Sequence, residues 1–213
     1  MPTAIKICGI SSVEALDAAI EARADYIGLV FFPPSPRHVD AHAASALAMR
    51  AGARIGRVGL FVDADDGLIA EGIASGRLDA VQLHGEETPK RVAEVKGRFK
   101  LPVWKAISVA SAGDVAAAET YRDVADLLLF DAKTPKDAAL PGGMGLRFDW
   151  SLLKGWKGRH GWGLAGGLTP ANVADAVAQS AAPLVDTSSG VESAPGIKDA
   201  ALIRSFCEAA RSI

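Results

Sequence analysis

The sequence predicts an α/β fold, a (β/α)8 TIM barrel built on a parallel eight-stranded sheet and filling residues 1–213 as a single domain. Three observations predict it. Eight short apolar runs alternate with eight alanine-rich amphipathic stretches. The apolar runs are continuous rather than alternating, as expected of strands buried on both faces beneath a layer of helices. The repeat averages roughly 27 residues with no linker or composition break, which suits a barrel near the short end of its range.

Strands are expected at 4–8, 26–31, 57–62, 80–83, 103–107, 126–130, 162–165 and 184–186. Helices are expected at 12–23, 41–51, 65–75, 88–96, 111–121, 150–154, 170–180 and 198–211. Ser11 or Ser12 ahead of Glu14 resembles a capping box, and Asp40 and Asp65 or Asp66 suit helix starts. Thr169–Pro170 supplies a cap followed by proline, and Gly52 and Gly97 suit helix ends. The Gly-, Pro- and Lys-rich stretch 131–147 follows a strand and reads as a long loop on the catalytic face. An open doubly wound sheet would carry a glycine fingerprint after its first strand. Here that place reads Cys8-Gly9-Ile10-Ser11-Ser12.

Hydrophobic residues make up 49% and charged residues 23%, with a formal net charge of -2 and a pI near 6.1. That balance gives no footprint for nucleic acid or an anionic membrane. The longest apolar run, 26–32, is far too short to span a bilayer. The first residues read straight into a strand, without a leader pattern. Two cysteines cannot build a disulfide framework, so a reducing, cytoplasmic setting is expected. A monomer is expected, with a homodimer as the alternative.

In such a barrel the carboxyl ends of the strands form the active face. The polar residues expected there are Cys8, Arg37, His84, Asp131, Gly166–Gly167 and Ser188–Gly190. Cys8 reads either as a small buried core residue or as a thiolate base, and the second requires nearby positive charge to lower its pKa. Asp131 follows four large apolar residues. It reads as a cap or partner for Lys133, or as a general acid in an apolar setting. Gly166-Gly167 and Ser188-Ser189-Gly190 follow the seventh and eighth strands, where barrels often hold a phosphate against backbone N–H groups. Arg37, on the stiff Pro33-Pro34-Ser35-Pro36 turn, reads as an exposed arginine or as a bidentate carboxylate clamp.

Several look-alikes carry no chemistry. Residues 161–166 spell a dinucleotide fingerprint, but inside an expected strand. Asp63-Ala64-Asp65-Asp66-Gly67 has the wrong acidic spacing for a calcium loop, with Ala74 where a glutamate is needed. His38 and His42 flank a helix start, so a metal site there is not expected. Trp150, Trp156 and Trp162 read as core or rim packing.

The same segments resemble the phosphoribosylanthranilate isomerase family. The matching stretches are KICGI at 6–10, SPR at 35–37, GLFV at 59–62 and VQLHGEE at 81–87. They continue with LLLFDAK at 127–133, FDW at 148–150, LAGGLTPANV at 164–173 and VDTSSGVESAPGIKD at 185–199. They run the length of the chain in the family's order.

The resemblance implies a cofactor-free, metal-free Amadori rearrangement of a phosphosugar–anthranilate substrate in tryptophan biosynthesis. It implies Cys8 as general base, Asp131 as general acid, and Arg37 as partner of the anthranilate carboxylate. The loops holding Gly166, Gly167, Ser188, Ser189 and Gly190 are implied as the phosphate site. His84 and Asp186 match family positions that meet the substrate. Met144 stands where the family usually has threonine, and Thr187 where valine is usual. Two rival readings are a histidine-pathway phosphosugar isomerase and a non-catalytic phosphate-binding barrel. The first normally has an aspartate where Cys8 stands. The second needs neither Cys8 nor Asp131.

Overall fold

The computed structural model describes residues 3–134, 145–154, 156 and 161–212. Its strands are β1 (Ala4–Cys8), β2 (Tyr26–Val30), β3 (Gly56–Phe61), β4 (Ala80–Leu83), β5 (Val103–Val109), β6 (Leu127–Ala132), β7 (Gly161–Leu164) and β8 (Leu184–Thr187). They pair in parallel in chain order, and β8 closes on β1. The α-helices are α1 (Val13–Glu21), α2 (Ala41–Ala51), α3 (Asp66–Gly76), α4 (Pro89–Phe99), α5 (Ala112–Ala117), α6 (Val173–Ser180) and α7 (Ala200–Arg211). The expected barrel is the observed one. No helix among the described residues is long and apolar enough to cross a membrane.

The period-two side-chain alternation of each strand splits the interior in two. Ile5 and Ile7 face the helices and join the large outer core. Ala4, Lys6 and Cys8 alternate with them and face the barrel axis. The axis is filled by Val58, Ala80, Trp104, Leu129, Ala165 and Leu184. Tyr26 meets Trp104 edge-on at 5.2 Å, a favoured aromatic geometry.

A repeated aspartate pins neighbouring strands. Asp25, Asp79 and Asp126 each stand at the foot of an even-numbered strand. Each accepts the backbone N–H of Ile5, Arg57 or Val103 on the preceding strand at 2.8 Å. Each also donates its own N–H back to the same residue's carbonyl, so both partners are satisfied. At the foot of β8 Pro183 stands in that place, and its carbonyl accepts from Ala4 of β1 as that of Asp25 accepts from Gly56 of β3.

Several helix expectations need correction. The stretch 150–154 is a single 3₁₀ turn, Trp150–Leu153, too short to propagate an α-helix. The stretch 111–121 is α5 followed by a 3₁₀ turn, Ala118–Tyr121. The last helix starts at Ala200, not 198, because Lys198 belongs to a two-stranded hairpin of β9 (Glu192–Ala194) and β10 (Ile197–Lys198). Gly97 lies inside α4, which continues so that Phe99 can reach the core and ends on left-handed Lys100. Thr169 does not cap α6; its N–H donates to Asn172, which precedes the helix. Ser12 caps α1 through the N–H of Ala15, so Glu14 is one place short of a capping box. The box that forms is Ser111 with Asp114 on α5. Asp40, Asp65 and Gly52 act as expected.

Most of the expected loop at 131–147, including Met144, lies outside the described residues. So do residues 155 and 157–160, ahead of the dinucleotide look-alike. That look-alike falls within β7 and its end, as expected.

Candidate active site

At the carboxyl end, the inward positions of the strands turn polar. Cys8 ends β1 with 5% of its surface exposed. It packs against Gly28 of β2, where an added Cβ would lie only 2.7 Å from the sulfur. Two residues earlier on the same face, Lys6 is completely buried. Its ammonium lies 2.9 Å from Oδ2 of Asp186, which is in direct register on β8. Asp186 Oδ1 is also buried and has no hydrogen-bond partner among the described residues.

On the far strands, Gln82 Nε2 lies 2.9 Å from His84 Nδ1, and His84 Nε2 lies 3.2 Å from Asp131 Oδ2. Asp131 Oδ1 accepts from the N–H of Ala132 at 2.8 Å. A donating Gln82 amide leaves the imidazole proton on Nε2, directed at Asp131. Lys133, offered above as a partner for Asp131, pairs instead with Asp114 at 3.2 Å.

The electrostatics follow from burial. Desolvation raises the Asp186 carboxyl, Lys6 opposes it, Asp131 adds to the rise, and the net is upward. Burial would lower the Lys6 pKa, but Asp186 and Cys8 more than offset it, and the ammonium is held above its usual value. Burial also pushes the Cys8 thiol up, Lys6 and Lys198 pull it down, and Asp186 adds to the rise. The positive charge that the sequence reading required is therefore present. The net shift is still upward, a correction to the expected lowering, because desolvation of a buried thiolate outweighs two partly committed cations.

Beside this cluster lies a cavity lined by Asp131, Asp186, Gly166, Gly167, Ser189 and Gly190, among others. Cys8 is not among its lining residues. Gly166 and Gly167 both have positive φ, at 85° and 61°. A Cβ on Gly190 would meet the Leu168 carbonyl at 1.8 Å, so only glycine fits there. An adjoining groove of about 590 Å³ shares Gly167, Ser189 and Gly190 and is walled by Arg37 and Glu192.

Arg37 is buried, not exposed on its turn. Its Nε and Nη2 donate to the two oxygens of Glu192 at 2.7 and 2.8 Å. Glu192 also accepts from Lys198 at 2.6 Å. Burial works against its charge, but Arg37 and Lys198 hold its carboxyl down to about 2. Lys198 donates further to the carbonyl and hydroxyl of Ser188, tying the hairpin to the end of β8.

The sequence reading missed Lys6, Gln82, Glu192 and Lys198. Lys6 had a visible signal, a lysine inside a run buried on both faces, which needs a buried counter-charge. Glu192 had none, because its partner Arg37 lies 155 residues away, and Lys198 draws its role from Glu192. The look-alikes resolve into structure. Asp63 accepts the Glu86 N–H, and His38 Nδ1 lies 3.2 Å from the Val30 carbonyl. Trp156 and Trp162 both meet Phe130 edge-on.

The family model described as N-(5'-phosphoribosyl)anthranilate (PRA) isomerase matches residues 5–209. A protein of that name from Paramagnetospirillum magneticum is 57% identical over 99% of this chain and 98% of its own. The crystal structure of phosphoribosyl anthranilate isomerase from Thermotoga maritima superimposes with a TM-score of 0.89 at 35% identity, covering 99% of this chain and 100% of that one. A structure of such an enzyme in complex with reduced 1-(o-carboxyphenylamino)-1-deoxyribulose 5-phosphate gives 0.86 at 32% identity, with 99% and 100% coverage.

Proposed function

This chain belongs to the N-(5'-phosphoribosyl)anthranilate isomerase family, and we propose from that premise that it is an isomerase of tryptophan biosynthesis. It converts N-(5-phosphoribosyl)anthranilate to 1-(2-carboxyphenylamino)-1-deoxyribulose 5-phosphate, and one domain spanning residues 1–213 carries the whole site. The observation that supports this most is the joining of Cys8, Lys6, Asp186, His84 and Asp131 into one inward-facing polar cluster beside a glycine-lined cavity.

Asp131 gives a proton to the ribose ring oxygen as the C1–O bond breaks, leaving an iminium. The Cys8 thiolate removes the proton from C2, and those electrons form the C1–C2 double bond of an enolamine. Transfer of the C2 hydroxyl proton to C1 then yields the ketone. Each positioned proton transfer contributes roughly 100- to 10,000-fold. His84 Nε2, 3.2 Å from Asp131 Oδ2 and backed by Gln82 at its other ring nitrogen, holds that carboxyl in place for the transfer.

Burial holds the Cys8 thiol above its usual pKa. The thiolate is therefore made when substrate is bound, with Lys6 and Lys198 as its cations. The phosphate lies against Gly166, Gly167, Ser188, Ser189 and Gly190. The anthranilate carboxylate meets Arg37, whose guanidinium Glu192 already orients. Asp186 Oδ1 accepts a hydrogen bond from the sugar, which gives that buried oxygen its missing partner.

The test is the decay of phosphoribosylanthranilate fluorescence on adding enzyme. Cys8→Ala and Asp131→Asn each lower turnover by more than about 100-fold while leaving circular dichroism unchanged. A near-normal rate in either variant removes that residue's role. Turnover of the histidine-pathway substrate alone overturns the assignment.

A further inference from the structure

We infer that Lys6 is a positioning residue that sets the charge of Cys8, its single ammonium divided between the sulfur on its own strand and the Asp186 carboxylate on the neighbouring one. The inference rests on the reading of Cys8 as the general base.

Lys6 and Cys8 occupy successive inward positions of β1, so one side chain rises beside the next. Lys6 has no exposed surface, and the hydrogen-bonded ion pair to Asp186 at 2.9 Å uses one of its three donors. An ammonium in a dry barrel is costly unless its charge is used. The sulfur of Cys8 is the other ionisable group on its face of β1.

The remaining charges around the sulfur lie farther along the chain. Lys198 approaches from β10 but is held by Glu192 of β9 and by Ser188. Asp131 and His84 act on Asp186 from the other side. With the thiol protonated, Lys6 and Asp186 balance each other. When the proton leaves, the same ammonium serves two anions, and any hydrogen-bond donor that substrate brings to Asp186 Oδ1 releases more of it to the sulfur. The direction of the electrostatics agrees, since Lys6 favours the thiolate and Asp186 disfavours it.

The experiment titrates Cys8 through its ultraviolet thiolate absorbance in a Cys207→Ala background, where it is the one remaining thiol. Lys6→Met is expected to raise the midpoint by about one pH unit or more, and Asp186→Asn to lower it. The kcat of Lys6→Met falls about tenfold at neutral pH and recovers as pH rises, while KM changes less than about twofold. Unmoved midpoints in both variants, or a loss of kcat that no rise in pH restores, would overturn the inference. Should Lys6→Met fail to fold, the downward shift in Asp186→Asn decides the matter alone. The titration needs no turnover. An active Cys8→Ala enzyme would therefore end the general-base reading without being confused with a failure at Lys6.

Discussion

Lys105–Glu87 and Lys6–Asp186 are both buried ion pairs whose lysine stands on a barrel strand, at 3.0 and 2.9 Å. Their surroundings differ. Lys105 alternates with inward-facing Trp104 and so points to the helix side of β5. It donates to the carbonyls of Gly85 and Ala106 at 2.7 and 3.0 Å and more weakly to Leu83, besides pairing with Glu87. Glu87 in turn accepts the backbone N–H groups of Asp63 and Gly85, and its own carbonyl takes the Tyr121 hydroxyl. Every charge there is spent on fixing backbone. Lys6 and Asp186 grip no backbone group among the described residues, and Asp186, which lines the cavity, has a buried Oδ1 with no hydrogen-bond partner among them. Where a buried charge is saturated by its own chain, it holds the scaffold. Where it is left short, it is available to a ligand.

Replacing each pair by apolar side chains should break or sharpen that contrast. Lys105→Met with Glu87→Met orphans several backbone groups at once. It is expected to cost about 3–5 kcal/mol, at about 1–3 kcal/mol per unsatisfied group, read as a lower urea midpoint. Lys6→Met with Asp186→Leu orphans none. Its stability should be unchanged or higher by about 1–4 kcal/mol, although turnover is lost. If both double variants lose the same stability, the distinction between the two pairs fails.

A third, smaller effect separates these pairs from the Arg37–Glu192–Lys198 cluster. The Glu192 carboxyl is depressed from 4.5 to about 2. Its contribution to stability is therefore complete above about pH 4.5 and is lost as pH falls from there toward 2. Unfolding measured across that window should steepen in the parent and flatten in Glu192→Gln. An unaltered slope would mean that the carboxylate titrates alike in folded and unfolded chains.

Much of the barrel was legible because strand burial writes itself into composition. The runs at 4–8 and 80–83 and the helix at 41–51 fall on their observed limits. The misses are local. Gly97 and Thr169–Pro170 carry strong terminus signals that tertiary contacts override, Phe99 by reaching the core and Asn172 by capturing the Thr169 N–H. Cys8 and Asp131 could be placed at strand ends by position alone. Asp25, Asp79 and Asp126 stood in the sequence as a repeated aspartate before an apolar run. Their common task emerges only when each strand lies beside its predecessor.

By itself the sequence determined the order of strands and helices, the closed parallel sheet, and which polar residues reach its carboxyl end. Those features depend on periodicity and short-range chemistry, which a chain carries in its own spacing. Only the tertiary structure decided which charges meet. Lys6 finds Asp186, Arg37 finds Glu192, and His84 finds Asp131 across gaps of 180, 155 and 47 residues. Barrel closure sets those distances, and the desolvation that follows sets how strongly each pair is felt.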